Sequence, residues 1–164
     1  KPNNPTSYVL DNQTLAPTFV IPSTPLLFFL SNNSFDNGAA LLTNGTPQQQ
    51  AMVWLENEKG TSEIMYTDKL LQIYALVTLY YATSGDQWLN RGSNDDSGRS
   101  LWLFSTYNYC EWFGLKCDAD RIQVIDLQNN TLNGSIPLEI GLLSSLGKLT
   151  CPARDKNKSL KIAH

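Results

Sequence analysis

Two cysteines, Cys110 and Cys117, enclose six residues in the stretch CEWFGLKCD. Cysteines at short spacing serve as metal ligands, as redox centres or as a disulfide that ties two segments together. Between them stand two aromatic residues, Trp112 and Phe113, and a glycine, Gly114. The stretch by itself leaves all three chemistries open, and the choice depends on the elements that position the two thiols.

Residues that commonly carry catalysis are sparse. The one histidine is His164, the last of the 164 residues. Ser-His-Asp and Cys-His catalysis and mixed His–Cys zinc sites need an imidazole held beside its partners, which a terminal residue is poorly placed to provide. Two carboxylate pairs suggest glycoside hydrolysis, Glu56 with Glu58 and Asp118 with Asp120, but we expect them on a helix surface and in a turn. We therefore expect no enzymatic activity, no catalytic residue, no metal site and no cofactor.

The composition favours a secreted protein or the extracellular face of a cell surface. Charged residues make up 16% of the chain, against about 25% in soluble proteins generally. The net charge of −3 and the absence of a long basic block disfavour a nucleic-acid partner. The most apolar run, FVIPSTPLLFFL, is short and contains two prolines, so no membrane-spanning segment is expected.

Six Asn-x-Ser/Thr triplets match the acceptor pattern for N-glycosylation. Their number fits a secretory route, although such triplets also arise by chance in chains rich in Asn. We expect a glycan at one or more of Asn12, Asn32 and Asn44, which lie in turn-rich sequence.

The first part of the chain, residues 1–45, is predicted to be an extended arm rich in Pro and Asn. Six of the eight prolines lie within the first 47 residues, and no helical periodicity emerges. Residues 19–30 are apolar enough to lie as a strand or strap against the domain that follows, and the alternative is a mobile N-terminal arm.

Two helices are predicted after this arm. The first begins at Thr46, a good N-cap, followed by Pro47 and, three positions after the cap, by Gln49. The second covers residues 67–83 and ends near Gly85. Its apolar face consists of Leu70, Ile73, Tyr74, Val77 and Tyr81.

Apolar residues over 122–149 recur in the pattern of a repeat. Leu146 and Leu149 follow Ile122 and Ile125 after 24 residues, a period within the range of leucine-rich repeats. The remaining apolar positions are Leu127, Leu132, Ile136, Ile140 and Leu143, and Asn130 and Gly134 punctuate them.

This stretch resembles the plant-type leucine-rich repeat, LxxLxLxxNxLxGxIPxxIGxLxx, with eleven defined positions in agreement. CEWFGLKCD is similar to the C-x-W-x-G-x-x-C-D ending of the N-terminal cap that precedes such repeats. The segments TPQQQAMVWLENE and YALVTLYYATSGDQW look like the longer cap of leucine-rich-repeat proteins from diatoms and related algae. The resemblance covers about residues 35–150.

The resemblance implies an α/β fold that is the start of a leucine-rich-repeat solenoid with short parallel strands. Residues 46–120 would form a helical cap over the apolar side of the first repeat. Residues 121–150 would form that repeat and the start of a second, followed by a divergent basic tail over 151–164. A Cys110–Cys117 disulfide would pin the connection between the cap and the first strand.

The resemblance also implies non-enzymatic recognition of a protein or peptide ligand, or of a glycan, through a curved surface. Ile125 and Leu127 would point inward, and Asn130 would bond the backbone of its own turn. The residues expected to point out from the concave strand face, and so to bind the ligand, are Val124, Asp126, Gln128 and Asn129.

The second repeat decays after Leu149, where Cys151 takes the place of an inward leucine. Leu143, Leu146 and Leu149 would then lack an apolar neighbour, so we expect them, with Cys151, to dock a partner or a second copy. The chain would be a piece of a longer solenoid. The alternatives are an accessory subunit that docks permanently onto a larger assembly through this end, and a tail that folds back over it.

Overall fold

The computed structural model describes residues 24–58, 67–91, 102–103 and 109–151, and the backbone of residues 161–162. The predictions for residues 1–23, including glycosylation of Asn12, and for most of the tail over 152–164 lie outside these ranges.

Within the described ranges, four α-helices come before the strands. The helices are α1 (Pro25–Asn33), α2 (Ala39–Leu42), α3 (Pro47–Asn57) and α4 (Asp68–Ala82). The strands are β1 (Leu115–Asp118), β2 (Arg121–Asp126), β3 (Ser135–Ile136), β4 (Lys148–Thr150) and β5 (Lys161–Ile162), and a 3₁₀ helix, Leu138–Leu142, follows β3. None of these helices has both the length and the apolar character that a membrane crossing requires. The described chain is a mixed α/β fold.

Helix α4 lies at the centre of the core. All residues over 72–80 are buried, because α3, the 3₁₀ helix and β2 all pack against it. The predicted apolar face is buried from Leu70 to Val77, but Tyr81 is only half-buried, and Leu76 and Leu79 on other sides are also buried. An amphipathic pattern predicts one buried stripe, whereas several packed neighbours bury nearly the whole helix.

Helix α3 begins where the sequence predicted. The hydroxyl of Thr46 accepts a hydrogen bond from the backbone N–H of Gln49 at 3.2 Å, and Pro47 occupies the first turn. The side chain of Gln49 accepts from the N–H of Gly45 at 3.3 Å rather than from that of Thr46. The local capping signal therefore marks the start of this helix correctly.

The prediction of an extended arm is wrong for residues 24–45. Thr24 caps α1 by accepting a hydrogen bond from the N–H of Leu27 at 3.1 Å, and Pro25 stands in the first turn, which is the same signal that starts α3. Leu26, Leu27 and Leu30 are buried in the common core. Burying each leucine stabilises the fold by about 1.5–3 kcal/mol, so tertiary packing turns this apolar run into a helix.

Two small sheets complete the described fold. β1 and β2 form an antiparallel hairpin, and β4 pairs with β2 in parallel on its other side. Ile125 pairs with Leu149, 24 residues further along the chain, which equals the spacing of the predicted repeat. β3 pairs in parallel with β5, so the backbone of residues 161–162 lies beside residues 135–136.

Replacing Leu30 by Ala tests the packing of α1. Leu30 is 0% exposed, and Leu→Ala at such a site costs about 2–5 kcal/mol. We expect a loss of that size in the free energy of unfolding, measured by urea denaturation. The matched control on the same helix is Phe28→Ala, at a position 65% exposed, which should change stability by no more than about 0.5 kcal/mol. Equally small effects at both positions would contradict a packed α1.

Candidate functional site

The outward face of the β1–β2–β4 sheet carries two of the residues assigned to ligand binding. Paired residues in a sheet project to the same face, so the register partners Lys116, Val124 and Lys148 form one row across it. Two positions along β2, Asp126 pairs with Thr150 in a second row. Val124 and Asp126 are half-buried, and both lysines are exposed. The face therefore presents an apolar floor between two cations, with a carboxylate beside it.

A β-bulge at Gln123 decides which side chains reach this face. Successive residues of β1 pair with Val124 and then with Ile122, so Gln123 is the extra residue. Ile122 and Ile125 both lie in the core at 0% exposure, although strict alternation would place residues three apart on opposite faces. Because of the bulge, Ile122 and Ile125 both face the core while Val124 faces outward.

The other two residues assigned to ligand binding, Gln128 and Asn129, do not lie on the strand. β2 ends at Asp126, and both residues are exposed in the turn that follows. Asn129 has a φ of 57°, a left-handed conformation that Asn adopts more readily than most residues. The Asp126 Oδ1 accepts a hydrogen bond from the N–H of Gln128 at 3.2 Å, which closes this turn. Their assignment to a strand face was therefore wrong.

Asn130 ties this turn to a distant segment. Its side-chain amide donates to the backbone oxygen of Asn90 at 2.8 Å and accepts from the N–H of Asn90 at 2.6 Å. We expected it to bond the backbone of its own turn, but its partner is 40 residues earlier in the chain. Asn130 is 2% exposed, so this pair of bonds satisfies a buried amide and holds the end of β2 to the segment after α4.

The Cys110–Cys117 disulfide implied by the resemblance is present, with the Cα atoms 5.7 Å apart. It joins the short 3₁₀ turn Tyr109–Glu111 to β1. Of the aromatic residues that it encloses, Trp112 is 0% exposed and Phe113 is half-buried. The entry into the hairpin is therefore fixed by a covalent bond and by a buried indole.

Trp112 belongs to a buried cluster of indole rings. Its ring centroid lies 5.2 Å from that of Trp102 and 6.3 Å from that of Trp54, and Trp102 lies 4.9 Å from Trp88. The indole N–H of Trp102 donates to the backbone oxygen of Phe113 at 2.8 Å. The cluster builds the core between the helices and the hairpin, so Trp88, Trp102 and Trp112 are not available for stacking on a ligand.

The leucines expected to dock a partner are covered to different degrees. Leu143 is 5% exposed and lies in the core, so its assignment to an open docking surface was wrong. Leu146 and Leu149 are half-buried and pack against the same core. The 3₁₀ helix Leu138–Leu142 packs against α4, which brings Leu143 inward.

Cys151 takes the inward position expected for it. It is a free cysteine, half-buried and packed against the core. Burial raises the pKa of the Cys151 thiol to about 11, and the negative charge of Asp126 contributes to the rise. A thiol that stays protonated at neutral pH is a poor nucleophile, which argues against the interchain pairing expected of it.

A buried carboxylate, Glu139, forms a site that the sequence did not indicate. Glu139 is 4% exposed, and its carboxylate accepts hydrogen bonds from the side-chain amide of Gln48 at 3.1 and 3.2 Å. The two residues are 91 positions apart, so no local pattern marks the pair. The contact joins the first turn of α3 to the 3₁₀ helix.

The surroundings of Glu139 disfavour its charged form. Burial raises the pKa of Glu139, its own backbone N–H and Gln48 lower it by hydrogen bonding, and the charge of Asp36 raises it. The Tyr74 hydroxyl is buried without a hydrogen-bond partner among the described residues. Burial, together with the charge of Glu139, raises the pKa of Tyr74.

The carboxylate pairs considered for glycoside hydrolysis lie at or near the surface. Glu56, Asp118 and Asp120 are exposed, and Glu58 is half-buried. Glu56 accepts a hydrogen bond from the Thr24 hydroxyl at 3.1 Å, which joins α3 to the start of α1. Within the described ranges, no three His, Cys, Asp or Glu side chains are grouped so as to hold a metal ion.

The glycosylation positions within the described ranges are accessible. Asn44 is exposed in the turn between α2 and α3, as predicted. Asn32 is also exposed, but it lies in the last turn of α1 rather than in turn-rich structure.

Comparison with protein-family models, with curated proteins and with solved structures finds no match to this chain.

Replacing Glu139 by Gln tests the cost of the buried charge. A raised pKa in the folded state means that wild-type stability falls as the pH rises from the ordinary glutamate pKa of about 4.3 through the folded value. Glutamine keeps the shape and accepts from Gln48 but carries no charge. We therefore expect the variant to gain stability relative to wild type across this window, with the gain present at neutral pH and absent in acid, measured by urea denaturation.

The control for this experiment is Glu111→Gln at an exposed position. Its stability should stay within about 0.5 kcal/mol of wild type, as is usual for a surface substitution. A gain for Glu139→Gln that is the same at every pH would contradict a charge penalty at this site.

The Cys151 thiol should react slowly with iodoacetamide in the folded protein. A pKa of about 11 leaves roughly two hundredfold less thiolate at pH 8 than a free cysteine with a pKa of about 8.5 has. The alkylation rate, followed by mass spectrometry, should rise with pH and approach that of a free thiol only after unfolding in urea. Rapid alkylation of the folded chain at pH 8 would contradict the burial of Cys151.

Proposed function

We propose that this chain is a non-enzymatic recognition module of the leucine-rich-repeat type, which acts outside the cell and binds a protein or peptide through the outward face of the β1–β2–β4 sheet. The observation that carries the proposal is the parallel pairing of β2 with β4. Val124, Ile125 and Asp126 pair with residues 24 positions later, at the spacing of the sequence pattern over 122–149. Parallel strands related by one repeat length are the element from which such solenoids are built.

The arrangement of the helices supports the same proposal. Helix α4 packs against β2 and the 3₁₀ helix, and the fully buried Trp112 and Ile122 belong to the same core. A solenoid needs its first repeat covered in this way, and the disulfide and the Asn130–Asn90 bonds fasten that cover to β1 and to the end of β2.

Two observations support a location outside the cell. A disulfide closes a short loop at Cys110 and Cys117, and such bonds persist in oxidising compartments. Asn32 and Asn44, in acceptor triplets, are exposed, so their side chains are open to glycosylation.

A displayed library of random peptides, selected on the immobilised chain, tests the binding face. We expect the selected peptides to lose at least about tenfold in affinity, or about 1.4 kcal/mol, when Val124 is replaced by Trp, because the larger ring fills the floor between the two lysines. The matched control is Val53→Trp, at an exposed position on α3, which should leave binding unchanged. Selected peptides that bind both variants as they bind wild type would contradict this face.

A further inference from the structure

Lys116 and Lys148 form the positive part of the outward face. They stand on either side of Val124 in one row, on β1 and β4. Both are exposed, and within the described ranges neither forms an ion pair with a carboxylate. Neighbouring strands are about 4.8 Å apart, so the two Cα atoms are roughly 10 Å apart. Two long, flexible side chains at this separation can converge on one anionic group above Val124.

Asp126 forms the negative part of the same face. It lies two residues from Val124 on β2, roughly 6.6 Å along the strand. Its Oδ1 closes the turn to Gln128, and no donor from the described residues reaches its Oδ2. A cation or hydrogen-bond donor on a ligand would satisfy the Oδ2 of Asp126.

The distance between the two rows matches an extended peptide. Side chains on one face of a strand recur every second residue, or roughly 6.6 Å, which is also the step from Val124 to Asp126. The half-buried Val124 offers an apolar floor for the methylene groups of a long charged side chain.

Other ligand classes fit this face less well. A polyanion such as a sulfated glycan would approach Asp126 and a chain of net charge −3, which repel it. The face residues Lys116, Val124, Asp126, Lys148 and Thr150 include no aromatic ring on which a sugar could stack.

We infer that the face binds an extended peptide segment in which an acidic and a basic residue stand two positions apart. The acidic side chain lies between Lys116 and Lys148, and the basic side chain lies over Asp126. The inference rests on the proposed function and adds the chemical class of the ligand.

The test uses a fluorescein-labelled peptide of sequence Gly-Thr-Glu-Thr-Arg-Thr-Gly and fluorescence anisotropy at low salt. Replacing both lysines by Gln (Lys116→Gln with Lys148→Gln) should weaken binding about tenfold, since two exposed ion pairs are lost. The control is Arg121→Gln, an exposed cation at the hairpin end of β2, which should retain wild-type affinity.

A second peptide, Gly-Thr-Glu-Arg-Thr-Thr-Gly, keeps the composition but places the two charges on opposite faces of an extended chain. It should bind wild type several-fold more weakly than the first peptide. The charge-reversed protein carries Lys116→Glu and Lys148→Glu. It should bind the first peptide weakly, and replacing the Glu of that peptide by Arg should restore the affinity. Equal binding of the two isomeric peptides, or an equal loss with Arg121→Gln, would show attraction by net charge alone and overturn the inference.

The outcomes also separate this inference from the proposed function. Library peptides that depend on Val124 but bind the double lysine variant normally would overturn the charge pattern and leave the recognition face intact. A heparin fragment that binds in a lysine-dependent way, while the peptide does not, would overturn the peptide class. An absence of Val124-dependent peptides would overturn both proposals.

Discussion

Helix α4 lies inside the molecule, where most buried polar side chains find hydrogen-bond partners. All residues over 72–80 are buried, and the Thr78 hydroxyl donates to a carbonyl of its own helix at 2.8 Å. The side-chain amide of Gln72 instead bonds outside the helix: it donates to the backbone oxygen of Asp120 at 3.2 Å and accepts from the backbone N–H of Ile122 at 2.9 Å. One buried side chain thus sets the position of the hairpin, and with it the outward face, relative to the helix.

The other fixed points are polar contacts between residues far apart in the chain. Asn130 holds the end of β2 to Asn90, and Gln48 holds the buried Glu139. A buried polar group without its partner costs more than the hydrogen bond contributes, so these contacts select one arrangement of the layers. The outward face consequently lies on a hairpin that is held in place by contacts with the helical part of the fold.

Several features followed from local sequence because their physical causes are local. Thr46 and Pro47 start α3, since a capping hydroxyl and a preset φ need no tertiary partner. The resemblance over 122–149 implied short parallel strands, and β2 does pair in parallel with β4, with Val124 and Asp126 on β2. The disulfide followed from the resemblance carried by CEWFGLKCD.

What only the tertiary structure decided concerns burial and long-range partners. The run after Thr24 carries the same capping signal as α3, but its apolar residues fit a strand or a helix, and packing of Leu30 into the core chose the helix. The burial of Glu139 and the partner of Asn130 depend on residues 91 and 40 positions away. Local sequence therefore determined where elements start and how apolar residues are spaced. Which residues are buried, and which distant residues they bond, was decided by the tertiary structure. Desolvation depends on every neighbour in space and not only on the neighbours in sequence.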